Sequence, residues 1–225
     1  MNIFYFIKNL LKKKFKRFYA LNFLDKKMLE FINYKNGFYI ECGANDGLKQ
    51  SNTFYYENFK NWNGVLIEPS QKYYELIKNR SKKNFFFKNA CVSFKDENKK
   101  VKLMYNNLMT VALTKKNQII DKNKFIDEGK KFLKKKENNF EFKIKGISLN
   151  RILDSCKSPS VIDFFSLDVE GMELEVLKGI KFNKYKFKFM LIECQNFTKI
   201  NTFLRKKNYI FVKKLSYHDY LFKSL

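Results

Sequence analysis

Phe38-Tyr-Ile-Glu41-Cys42-Gly43-Ala-Asn45-Asp46-Gly47 passes from an apolar run through an acid into a turn holding two glycines. Such a stretch reads as a short buried strand that ends in a βα turn. Val65-Leu-Ile-Glu68-Pro69 repeats the pattern, an apolar run ended by an acid and stopped by proline. Ile162-Asp-Phe-Phe-Ser-Leu-Asp168-Val-Glu170-Gly171 repeats it again. Strands that alternate with helical segments specify a mostly parallel sheet with helices on its faces.

Reading outward from these three, the remaining rhythm predicts helices over residues 48–59, 71–80, 149–156, 172–177 and 198–207. It predicts a third strand over 84–92 and others over 142–147 and 187–193. Two adjacent strands, 209–215 and 217–222, close the chain as an antiparallel hairpin. Residues 94–140 are Lys- and Asn-rich and weakly patterned, with one short strand at 101–104. They are expected to form a polar, mobile, substrate-facing insertion, because little apolar surface is available there to bury. The expected organisation is a basic amphipathic helical segment at 1–36 and one α/β domain at 37–225.

In open α/β sheets, ligands bind where strand carboxyl ends meet helix N-termini. All three acidic turns belong at that edge. Gly43 and Gly47 permit close backbone approach to a ligand. The dinucleotide pattern G-x-G-x-x-G is absent, and Glu41 and Asp46 stand where a pyrophosphate would be repelled. A cofactor with cationic groups and no phosphate fits better, and S-adenosylmethionine has an ammonium and a sulfonium centre. Glu68, 25 residues after Gly43, is spaced to accept hydrogen bonds from both ribose hydroxyls of an adenosine. Asp168 and Glu170 are candidates to bind the methionine amino group or to take a proton from a substrate hydroxyl. The plainer alternatives are an ordinary βα turn, a solvated Glu68 and a Glu170 that caps the next helix.

The motifs Glu41-Cys-Gly-Ala-Asn-Asp-Gly47, Gln50-Ser51-Asn52-Thr53, Trp62-Asn-Gly-Val-Leu-Ile-Glu68-Pro69 and Ile162 through Gly171-Met-Glu173-Leu-Glu175-Val-Leu-Lys-Gly179 together resemble the FkbM-type methyltransferases. The resemblance covers roughly residues 37–222. It implies the class I Rossmann-like methyltransferase fold, S-adenosylmethionine as cofactor, and O-methylation of a sugar or another hydroxyl. It implies cofactor roles for Glu41, Gly43, Asn45, Asp46, Ser51, Asn52, Glu68 and Asp168. Asp168 and Glu170 are the expected catalytic carboxylates; no metal cluster stands out in the sequence, and a divalent ion held by Asp168 and Glu170 is the alternative. The acceptor is expected to be a glycan, a glycolipid or a related metabolite.

Net charge is +24, which invites polyanions. Only four cations are arginine, so the bidentate phosphate fork is scarce and nucleic acid is not the expected partner. An RNA ribose methyltransferase, or a non-catalytic membrane- or polyanion-binding protein on the same fold, are the alternatives. Four widely spaced cysteines exclude a zinc ribbon and suit a reducing compartment. The lone His218 is read as a packing residue beside Tyr217 and Tyr220, with a catalytic role as the lesser alternative. On a helix, Ile3, Ile7, Leu10, Leu11 and Phe18 would oppose Lys8, Lys12, Lys13, Lys16 and Arg17. Such a helix packs on its domain or lies on an anionic membrane. A cytoplasmic location follows, with peripheral membrane contact as its variant.

Overall fold

The computed structural model describes residues 17–225. The expected N-terminal amphipathic helix lies almost wholly outside the described residues. Residues 17–36 contain only a short helix α1 (Leu24–Lys27) flanked by 3-10 turns. Leu24, Met28 and Ile32 nevertheless bury fully against Leu66 and Phe164, so this part is integral to the domain.

The main sheet has seven strands: β1 (Phe38–Cys42), β2 (Asn63–Ile67), β3 (Phe85–Phe87), β8 (Val161–Leu167), β9 (Lys186–Glu193), β10 (Tyr209–Lys214) and β11 (Asp219–Ser224). Their order is β10-β11-β9-β8-β1-β2-β3. The five strands from β3 to β9 are parallel, whereas β11 runs antiparallel to both β9 and β10. Both faces of a parallel sheet must be covered, which explains the continuous apolar runs of the central strands. Tyr39, Leu66 and Phe164 pack on one face, and Ile40, Val65 and Phe165 on the other, all at 0% exposure. Each such side chain contributes about 1.5–3 kcal/mol of transfer free energy.

Helices α2 (Phe54–Lys60), α3 (Tyr73–Asn79), α5 (Leu149–Ser155), α6 (Glu173–Leu177) and α7 (Phe197–Arg205) fall near the expected places, and α4 (Lys122–Gly129) was not expected. The helix expected over 48–59 begins only at Phe54. The buried Glu41 carboxylate accepts hydrogen bonds from Ser51 Oγ, Asn52 N and Thr53 Oγ1, and so holds 51–53 in a loop. The strand expected over 84–92 is two strands: β3 in the main sheet and β4 (Ala90–Cys91) in a second one.

That second sheet, β4-β7-β5-β6, takes β5 and β6 from the segment read as weakly patterned and β4 and β7 from its flanks. It comprises β5 (Lys100–Tyr105), β6 (Val111–Ala112) and β7 (Phe140–Ile147). In β7 the charged residues alternate with Phe142, Ile144 and Gly146, so one face is apolar and the other solvated. Leu103, Ala112 and Met172 form a small core beneath it. Among the described residues no helix is long and apolar enough to cross a membrane.

Candidate active site

The register of the parallel strands brings the acidic turns together. Cys42 pairs with both Ile67 and Leu167, and Leu167 pairs with Ile192. The residues that follow these strands therefore emerge side by side: Gly43, Glu68, Asp168 and, beside it, Glu193. They border a cavity of about 440 Å³. Its opposite wall comes from the second sheet and its connections: Val101, Leu103, Asn107, Leu108, Phe125 and Phe132.

Gly43 has φ +88°, and a Cβ there would stand 1.7 Å from the Asp168 carbonyl oxygen. Only glycine lets β1 and β8 approach this closely at the cavity floor. Gly43 N and Ala44 N both donate to Ile67 O at 3.0 Å, which ties the turn to β2. Glu68 is 4% exposed. Asn45 N donates to its Oε2 and Ser70 N to its Oε1, each at 2.8 Å. The Ser70 hydroxyl bonds the same carboxylate. Burial raises the Glu68 carboxyl, and those donors oppose the rise.

Of the sequence-designated residues, Glu41, Gly43, Asn45, Ser51, Glu68, Asp168 and Glu170 line the cavity. Asp46 and Asn52 do not. Asp46 accepts from Leu48 N and Lys49 N and so closes the turn. Asn52 Nδ2 reaches Ser166 Oγ at 3.0 Å. Glu41 spends its oxygens on Ser51, Asn52, Thr53 and Arg80. Arg80, fully buried, also binds Glu57, Tyr39 and the Gly47 carbonyl.

Three carboxylates, Asp168, Glu170 and Glu193, have oxygens within 4.8 Å of one another. Asp168 is exposed to the cavity, yet protein surrounds that cavity, so its charge is poorly solvated. Burial raises its carboxyl. Glu170 is raised well above the usual range by burial and then by its acidic neighbours. Glu193 is raised well above it too, first by the Asp168 charge and then by burial, and it hydrogen-bonds Asp168. Glu193 is thus the proton holder of the pair, because like charges at this range cannot all ionise.

Glu173 is 0% exposed and accepts from Val169 N and Gly171 N, which orients the loop bearing Asp168 and Glu170. Burial lifts its carboxyl to about 7. His218, read from sequence as a packing residue, lies against Tyr217 with ring centroids 4.5 Å apart and also lines the cavity. Glu193 and Gln195 were missed. The signal was present in Leu191-Ile-Glu193-Cys-Gln195, a further apolar strand ended by an acid.

The second-sheet wall is pinned to the floor. Asn107 Nδ2 donates to Phe132 O and Glu137 Oε2, and Lys72, buried, bridges Glu137 and Glu75 at 2.9 Å each. Burial works against the Glu137 charge, but the Lys134 N–H and the Lys72 ammonium hold its carboxyl at about 2.

The methyltransferase FkbM domain model matches residues 41–211, most of the chain and all of the floor just described. The chain belongs to the FkbM methyltransferase family. No curated protein and no solved structure matches it.

Proposed function

We propose that the chain is an S-adenosylmethionine-dependent O-methyltransferase of the class I Rossmann-like layout, acting on a hydroxyl of a glycan, glycolipid or related metabolite. The strand order, with its antiparallel pair β10 and β11 at one edge, supports that layout. The observation that carries the reading is Glu68, whose two oxygens are fixed by the Asn45 and Ser70 backbone donors where the carboxylate lines the cavity floor.

The donor set fits the cofactor. The cavity is lined by six acids, of which Glu41 is paired with Arg80 and Glu170 and Glu193 hold protons, which leaves Glu68, Glu128 and Asp168 as anions against one lysine, Lys49, among the described residues. That lining favours a ligand with positive centres and no phosphate, and it weighs against an RNA backbone as acceptor. The volume lies within the usual range for small-molecule sites, roughly 300–1,000 Å³.

Glu68 would hold the ribose hydroxyls, the 43–45 backbone would border the methionine portion, and Asp168 would face its ammonium or the acceptor. When bound, the cofactor supplies an electrophilic methyl group. The residues that line the floor hold the acceptor in line with it, and such positioning supplies much of the acceleration. Asp168 takes the proton of the acceptor hydroxyl at a carboxylate oxygen. Glu193, already protonated, donates its hydrogen bond to Asp168 and keeps that carboxylate ionised. Glu170, raised by burial, holds its own proton and lines the acceptor side. Glu41 and Asn52 act through the loop they hold, and Asp46 through the turn it closes.

The test is transfer of labelled methyl from the cofactor to separated glycan, lipid and RNA fractions. Label in glycan or lipid supports the reading. Label confined to RNA transfers the case to ribose methylation, and no label with intact cofactor binding leaves a non-catalytic binder.

A further inference from the structure

The cavity mouth has a rim whose side chains contradict the ordinary rule of burial. Leu21 is 52% exposed, Phe23 64% and Tyr217 78%. Leu21 and His218 both line the cavity, so residues 21–27 and 213–218 meet at its opening. Lys27 Nζ donates to Leu215 O at 2.6 Å, and Lys213 pairs with Glu30 at 3.4 Å, joining the two segments.

Phe23 also sits at φ +56°, directly after Asn22 at φ +53°. Asparagine tolerates this left-handed region, but for a bulky aromatic residue it is an outlier. The backbone is therefore strained at a residue whose ring the domain does not bury. Exposed apolar side chains on two joined segments beside a cavity suit an interaction surface.

Charge identifies the occupant. Lys26, Lys213 and Lys214 are exposed on these two segments, and Lys27 is half-buried. Against them stands the exposed Glu30, already paired with Lys213; Asp25 is buried, and Asp219 bonds Ser216. Arg17 is fixed on the domain by Tyr55, at 3.2 Å. The stretch that leads into it, residues 1–16, carries five lysines and no acid, interleaved with Ile3, Phe4, Phe6, Ile7, Leu10 and Leu11. Apolar side chains framed by lysines match an anionic lipid surface, where the rings enter the headgroup boundary and the ammonium groups meet lipid phosphates.

We propose that the rim formed by residues 21–27 and 213–218 docks on an anionic lipid bilayer, with the cavity mouth turned toward the lipid. An acceptor held in the bilayer then reaches the cavity without crossing bulk water. That consequence rests on the methyltransferase reading; the docking does not.

The experiment is sedimentation of the full chain with vesicles of phosphatidylcholine alone, or of three parts phosphatidylcholine to one part phosphatidylglycerol. Each is run at about 100 mM and about 500 mM salt, to separate screened from unscreened attraction. The double variant Phe23→Asp/Tyr217→Asp is compared with wild type, and neither position lines the cavity. Aspartate tolerates the left-handed backbone better than phenylalanine, and a thermal melt checks that the variant folds. Wild type should sediment with the anionic vesicles only and be released by salt. The variant should partition about tenfold more weakly or worse, with an unchanged melt. Three results would overturn the proposal. Wild type could stay in the supernatant. The folded variant could sediment as fully as wild type, which would assign binding to residues 1–16. Light scattering could show a dimer that the variant dissolves, which would make the rim a contact between copies. Calorimetry with S-adenosylmethionine runs in parallel: loss of cofactor binding with docking intact sinks the enzymatic reading and leaves this one standing.

Discussion

Replacing Arg80 with leucine should cost more stability than any other single polar change in the domain. The guanidinium is fully buried and makes six contacts: Nε to Glu57, Nη1 to Glu41, Ser51 and the Gly47 carbonyl, and Nη2 to Tyr39 and Thr53. Leucine fills part of the space but leaves two buried carboxylates without their cation. Breaking a buried pair from one side costs about 3–5 kcal/mol. For a chain of this size each kcal/mol moves Tm by about 2–4 °C, so a drop of roughly 6–20 °C is expected. Lysine at this position keeps the charge but not the planar fork, and should lose less. The pH dependence checks the cause. Burial alone would raise the Glu57 carboxyl, and Arg80 and Tyr39 overcome it to hold the group low. A depressed carboxyl stabilises the fold above its unfolded pKa, about 4.5, and that contribution is lost as pH falls through the folded value. Without Arg80 the same carboxyl is raised and its penalty vanishes on protonation. The gap between wild type and Arg80→Leu should therefore be widest near neutral pH and narrow toward pH 4. Thermal melts across pH measure it, and a gap that is constant with pH, or a Tm change under about 2 °C, would refute the reasoning.

Other outcomes follow from the same geometry. Gly43→Ala should lose on the order of 3 kcal/mol in a denaturant titration, because its Cβ would strike the Asp168 carbonyl, which is backbone and cannot swing away. Glu193→Gln should raise Tm at pH 7.5 while methyl transfer falls. A carboxyl raised by folding destabilises from its unfolded pKa upward, so the advantage should disappear below about pH 4, and a lowered Tm at pH 7.5 would contradict the assignment. Glu137→Gln should speed hydrogen exchange in β5 and α4 by about tenfold by unpinning Lys72 and Asn107, and equal protection would show that the tie is idle. In wild type the stabilisation from the Glu137 tie, full above the ordinary carboxylate pKa, should be lost progressively as pH falls from there to about 2.

The floor of the candidate site was legible because it follows from local pattern. Three apolar runs each ended by an acid put Glu41, Glu68 and Asp168 at strand ends, and parallel register then places those ends side by side. What failed was long-range. Arg80 and Glu57 look like solvated helix residues, and only the fold reveals that they pair under the β1 turn. Strands over 101–104 and 142–147 were legible, close to β5 and β7, but their pairing with each other in a separate sheet was not, because it joins segments far apart in the chain, Lys100–Tyr105 and Phe140–Ile147. The strand expected at 84–92 concealed a change of sheet, since Phe85 and Cys91 share the same apolar character but not the same partner. Glu193 required recognising that a strand near the end of the chain lies next to β8 in the middle of the sheet.

The central claim is that this floor binds S-adenosylmethionine through Glu68. Calorimetric titration of the cofactor into the full chain, with Glu68→Ala beside wild type, tests it directly. A carboxylate that accepts two ribose hydroxyls contributes about 1.5–3 kcal/mol, so the alanine variant should bind roughly 10- to 150-fold more weakly with an unchanged melt. Absence of binding by wild type, or equal affinity in the two proteins, would contradict the account.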